Sequence, residues 1–279
     1  MAYFLDPMRW FRIREYLPTP STLRHRRAIR GLDRIVYRII RQRRASGLDP
    51  GDLLTRLLAA QDEGGGGMTD RQLRDEMVTI FLAGHETTAL ALTYAFYLLA
   101  QHPEVEARLV AELEEVLGDR PPTPDDVPRL RYTDWVIREA MRLYPPAWGI
   151  AREATSDCEV GGFQAPRGTQ FFLVQWLVHR DPRWYDEPEA FRPGRRADDL
   201  ERRLPRCAYF PFGDGPRICI GQHFAMMEAV LILAAVARCY RLSLVPGHRL
   251  ELVPSITLRP GSGVRVVAHD RRESCGPAR

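Results

Sequence analysis

The sequence contains no lysine: all 40 of its Lys and Arg residues are arginine. Against 36 Asp and Glu this leaves a formal charge of +4, too small an excess to mark a polycation, and the arginine-only usage reads as coding bias. Cysteine is sparse. Cys158, Cys207, Cys219, Cys239 and Cys275 are odd in number and irregular in spacing, which argues against a disulfide framework and fits a reducing compartment. No apolar run reaches the length of a bilayer span, and Met1 to Tyr16 lacks the basic, apolar and small-residue succession of a signal peptide. Together these absences predict a cytoplasmic chain without a membrane span. Repeats are also missing, and Gly64 to Gly67 lacks the Lys-Ser/Thr ending of a phosphate loop, so it reads as a flexible connector. What remains is 279 residues at 45% apolar, enough to bury the core of one large domain or two small ones.

The most informative stretch is Phe212 to Gly221, Phe-Gly-Asp-Gly-Pro-Arg-Ile-Cys-Ile-Gly. Gly213 and Gly215 let the backbone take positive φ and approach a flat ligand closely, and Pro216 stiffens the loop. The apolar segment from Phe224 towards Ala237 predicts a buried helix, which places Cys219 at its positive end, where the helix dipole favours a thiolate. Such a thiolate can ligate a metal or attack an electrophile, and Arg217 offers a cation to a carboxylate. A dinucleotide loop requires a strand-to-helix turn with an acid about twenty residues later, which is absent. A zinc centre requires partners at ligand spacing, and His223 and Cys207 form no familiar set. A plain structural cysteine remains the default for a cysteine taken alone.

Helical periodicity predicts helices at Thr22 to Arg44, Pro50 to Gln61, Pro103 to Leu117 and about Tyr132 to Leu143. The arginines of the first one, Arg24, Arg26, Arg27, Arg41, Arg43 and Arg44, could attract nucleic acid; without interleaved aromatics they read as a solvated face. Thr69 and Gln72 form a capping-box pattern that opens a longer helix running to about Gln101. Its centre, Ala83-Gly84-His85-Glu86-Thr87-Thr88, puts a glycine and a carboxyl into an apolar run and predicts a functional break or bend. After Pro146 the chemistry turns to strands. Cys158 to Ala165 and Thr169 to Val174 read as the two arms of a hairpin turning at Pro166-Arg167-Gly168, and Arg241 to Val245 with Val264 to Val267 as a small terminal sheet. Asp270 to Arg279 reads as a frayed tail. Glu139 and Arg142 share one helix face and, taken alone, read as a surface ion pair, while His179 reads as a packing residue.

In combination these segments resemble the cytochrome P450 family. The cysteine loop matches Phe-x-x-Gly-x-Arg-x-Cys-x-Gly at every fixed position, Ala83 to Thr88 is similar to Ala/Gly-Gly-x-Asp/Glu-Thr-Thr, and Glu139 with Arg142 resembles Glu-x-x-Arg. The resemblance implies a mainly α fold with a small β lobe, a single domain over residues 1–279 from which the family's amino-terminal helices are missing. It implies haem b held by the Cys219 thiolate, with Phe212, Gly213, Gly221 and Ala83 against the macrocycle and Arg152 and Arg217 on its propionates. Glu86 and Thr87 would pass protons, and Glu139, Arg142 and Arg195 would brace the proximal side, although Gly194 and Arg196 stand where the family has Glu and an aromatic. The implied activity is a monooxygenase acting on a small apolar organic substrate lined by Phe81, Ala83, Trp148, Ile150 and Ile256. Its electrons come from NAD(P)H through a ferredoxin or flavoprotein reductase. A truncated, non-catalytic remnant and a haem-thiolate isomerase or dehydratase are the alternatives.

Overall fold

The computed structural model describes residues 19–60, 65–197 and 200–271, which fold as a mainly α protein with a small β lobe. The chain divides into two compact units between His85 and Glu86, at the centre of the long helix.

The first unit contains helix α1 (Pro20–Ser46), helix α2 (Leu53–Ala59) and the amino-terminal half of helix α3 (Asp70–Leu99). Thr19 caps α1 by accepting from the Thr22 amide, and Gly47 ends it in the left-handed conformation at φ +60°. Asp52 caps α2 while forming a forked ion pair with Arg43, and that guanidinium holds the Asp52 carboxyl well below the usual range. Val36 and Ile40 of α1 meet Leu54 and Leu73 in a small core. The capping box at α3 closes in both directions: Thr69 N donates to Gln72 Oε1 at 2.9 Å, and Gln72 N to Thr69 Oγ1 at 3.3 Å.

Helix α3 then runs without interruption through Ala83 to Thr88, so the expected break is not there. Gly84 has open space where a Cβ would stand, and the strong helix formers around it carry the backbone ladder across. In the second unit, α4 (Pro103–Leu117), α5 (Arg131–Leu143) and α8 (Gln222–Cys239) share one core with the end of α3, built on Leu98, Leu109, Leu113, Val136, Ile137, Val230 and Leu233. Apolar almost all round, α8 nevertheless buries only a stripe, Ala229, Val230, Leu233, Ala234 and Ala237, and leaves Phe224 and Ile232 exposed. By length and composition α8 is the one described helix that could cross a membrane, contrary to the expectation from the sequence; its buried stripe lies in the shared core.

The β lobe consists of four antiparallel pairs. Strands β2 (Cys158–Val160) and β3 (Phe163–Ala165) form a hairpin over Gly161 and Gly162, both at positive φ. Strand β4 (Gln170–Leu173) pairs with β1 (Ile150–Glu153), Arg152 lying opposite Phe171. The wider hairpin expected around Pro166-Arg167-Gly168 is therefore corrected: two adjacent glycines make the tight turn that right-twisted strands favour. Strand β5 (Tyr240–Leu244) pairs with β8 (Val266–Asp270), and β6 (Leu252–Pro254) with β7 (Leu258–Pro260). Asp270 is thus in a strand and Arg271 donates to the Ala237 carbonyl at 2.8 Å, while residues 272–279 of the expected tail lie outside the described residues. Short helices α6 (Gln175–Val178) and α7 (Leu200–Arg203) lie between the lobe and the cysteine loop in sequence.

Candidate functional site

The loop from Phe212 to Gly221 turns on two glycines at positive φ, Gly213 at +77° and Gly215 at +71°, conformations open to few other residues. Its cross-link is local: the Cys219 amide donates to the Phe212 carbonyl at 2.9 Å. Asp214 holds the turn by accepting from its neighbour Gly215 N at 2.6 Å, from Arg206 Nε at 3.0 Å and from Cys207 Sγ at 3.1 Å. The hydrogen bond to Asp214, with partial burial, pushes the Cys207 thiol up, so Cys207 stays a protonated donor in this loop.

Cys219 is exposed and lies two residues before Gly221, the N-cap of α8. Around it the surface is apolar where water would be expected to demand polarity: Ile218 is 45% exposed, Phe224 65% and Ile220 99%. A Cβ on Gly213 would stand 3.5 Å from Ile150 Cδ1, and one on Gly221 3.9 Å from Cys219 Sγ. Arg152 donates only to the carbonyl of Ala151, and neither Arg152 nor Arg217 meets a carboxylate among the described residues. A thiol on an apolar floor, with guanidinium groups free to take carboxylates, fits the underside and propionates of a haem. Among the described residues no three His, Cys, Asp or Glu side chains converge on a common point.

Two side chains hold this loop from behind: His179, which the sequence suggested as a packing residue, and Gln175, which it did not single out. Gln175 Nε2 donates to the carbonyl of Phe210, and His179 Nε2 accepts from the Phe210 amide at 3.0 Å. Both side chains are fully buried. His179 must be neutral to accept, and burial, reinforced by the charges of Arg142, Arg196 and Arg180, pushes its pKa down to about 3. Spacing alone could not reveal this clamp, since its two members meet a backbone more than thirty residues away.

Glu139 and Arg142 are not a surface pair: both are 0% exposed. Arg142 forks onto Glu139 at 2.9 and 3.0 Å, and its remaining donors reach the carbonyls of His179, Pro188 and Ala190. Arg195 Nε joins Glu139 at 2.8 Å despite the unusual Gly194 beside it, and the Arg192 amide donates to the same oxygen. Every charge is thus partnered, as burial requires. Through His179, the ionic cluster is linked to the clamp behind the cysteine loop.

On α3, Ala83 belongs to the first unit and is exposed, while Glu86 and Thr87 open the second and are half-buried. Glu86 forms an ion pair with Arg259 of β7, a partner the sequence did not suggest. Trp148 Nε1 donates to the Ser255 carbonyl at 2.8 Å, which ties the segment before β1 to the turn bearing exposed Ile256. Phe81 stacks on His85 within the first unit.

Comparisons with known proteins agree with these features. The family model described as Cytochrome P450 matches residues 2–263. Cyclooctat-9-en-7-ol 5-monooxygenase of Streptomyces melanosporofaciens is 44% identical over 239 residues, covering 85% of this chain and 52% of that protein. Pentalenene oxygenase of Streptomyces avermitilis is 41% identical over 242 residues, covering 87% and 54%. Among solved structures, a cytochrome P450 (CYP102L1) superposes with a TM-score of 0.82 at 30% identity, covering 92% of this chain and 59% of that one. The chain spans about half the length of the curated relatives it matches. With a matching family model over nearly its whole length and the same fold in a solved member, the chain belongs to the cytochrome P450 family.

Proposed function

We propose that this chain is the cysteine-bearing portion of a haem-thiolate monooxygenase that acts on a small apolar substrate. The observation that carries this reading is the exposed Cys219 thiol on an apolar floor beside the start of α8. Haem b bound there supplies the dioxygen chemistry, one oxygen atom going to the substrate and the other to water. Cys219, exposed two residues before the N-cap of α8, is the residue that would hold it. Gly221 keeps side-chain atoms out of the space beside the sulfur, and Ile218, Ile220 and Phe224 would offer the macrocycle an exposed apolar surface. Arg152 and Arg217 would supply guanidinium groups to its propionates. Glu86 and Thr87 would move protons, Glu86 from beside Arg259, with which it forms an ion pair. Electrons come from NAD(P)H through a ferredoxin or flavoprotein reductase.

Cyclooctat-9-en-7-ol and pentalenene, named in two relatives, are the first substrates to offer. With the haem-loaded chain, a surrogate reductase and isotopically labelled dioxygen, one labelled atom is expected in the product. Thr87→Ala is expected to lower product formed per reductant consumed. Product oxygen drawn from water, or isomerised substrate without oxygen, would contradict the reading.

A further inference from the structure

Helix α1 carries a charge pattern that the haem site does not use. Arg24, Arg27, Arg30, Arg34, Arg38 and Arg41 are all exposed. At 100° per residue they fall within an arc of about 120° and extend about 26 Å along the axis, one guanidinium per turn. None of the six meets a carboxylate among the described residues; Arg30 bonds only to the carbonyl of Arg26. The one acid on α1, Asp33, lies outside the arc and is bound to Arg74 at 2.6 Å. The opposite face is the one that packs, through Val36 and Ile40. The stripe therefore looks outward with no internal charge to answer it, an arrangement whose self-repulsion is relieved only by an external anion.

Two neighbours decide the kind of anion. Ile35 and Ile39, one turn apart along one flank of the stripe, are 54% and 39% exposed, and Leu23 is 40% exposed within the arc. Tyr37 is partly buried against the small core and the exposed ring of His25 lies outside the arc, so no ring stands among the arginines to stack on a base. Guanidinium groups in a line with exposed aliphatics beside them match a flat anionic surface with an apolar layer beneath it. We propose that α1 docks the protein peripherally on membranes rich in anionic phospholipid, the arginines on headgroup phosphates and Ile35 and Ile39 at the acyl boundary.

The test is co-sedimentation of the 279-residue chain with vesicles of phosphatidylcholine, alone and with phosphatidylglycerol added, across a salt series. Binding only to the anionic vesicles, lost as salt rises, is expected. Arg34→Gln together with Arg38→Gln should lower the partition coefficient about 30-fold at unchanged thermal unfolding, since neither residue has a partner to lose. Equal binding to neutral vesicles, no binding to either, or an unaltered partition in the double variant would overturn the proposal. So would tighter binding to duplex or single-stranded nucleic acid than to the anionic vesicles, with the same two arginines responsible.

Discussion

Phe210 has both of its backbone groups taken by side chains buried on another segment, and two residues later the cysteine loop begins. Replacing His179 with Leu leaves the Phe210 amide buried without an acceptor, and a loss of about 1–3 kcal/mol is expected in urea unfolding. The same side chain makes stability depend on pH. Its folded value of about 3 lies below its ordinary 6.5, so its contribution is complete above pH 6.5 and falls away as pH drops towards 3. The difference in stability between the native chain and His179→Gln is expected to shrink over that window and to be flat above it. Arg142→Ala breaks a buried ion pair, leaving Glu139 only Arg195 and the Arg192 amide and the carbonyls of residues 179, 188 and 190 without their donor. It should cost about 3–5 kcal/mol, an effect out of reach for an exposed pair such as Arg206 and Asp214. Local spacing revealed that Glu139 and Arg142 share a face, yet placed them on the surface. Their burial depends on carbonyls from residues 179, 188 and 190, which no local pattern contains.

Helices were legible wherever a cap or stop accompanied the periodicity. Pro103 and Gly118 bound α4 at the residues the sequence suggests, and Thr69 with Gln72 opens α3. Irregularity inside an element misled: Gly84 and Glu86 suggested a break because their local cost is real, but ladder hydrogen bonds on both sides outweigh about 1 kcal/mol. Since nothing lies within 4 Å of a Cβ at Gly84, Gly84→Ala is expected to stabilise the chain by about 1 kcal/mol in denaturant unfolding. At Gly162, with φ of +85°, the same substitution is expected to destabilise by about 1–2 kcal/mol, because an L side chain collides there. Strand pairing was harder to read than helix position. Both Gly161-Gly162 and Pro166-Arg167-Gly168 are turn signals, and which one closes a hairpin depends on β1, a partner before both.

Across the whole molecule, the motifs specify a family and the geometry specifies a site to examine. The loop, the buried clamp and the ionic cluster all belong to the second unit, so the thiol is positioned by a continuous set of contacts from Glu139 to Phe212. Ile218, Ile220 and Phe224 leave an exposed apolar surface beside the thiol, and under the proposed reading its partner is the haem. The identity of that partner could be read only through the resemblance, because a lone cysteine between glycines has several chemistries open to it. The most direct test is the difference spectrum of the reduced, haem-loaded chain with and without carbon monoxide. The red-shifted Soret band of a thiolate-ligated haem is expected from the native chain and should vanish in Cys219→Ala, while Cys207→Ala retains it. A native spectrum without that band, or one that survives Cys219→Ala, would contradict Cys219 as the iron ligand.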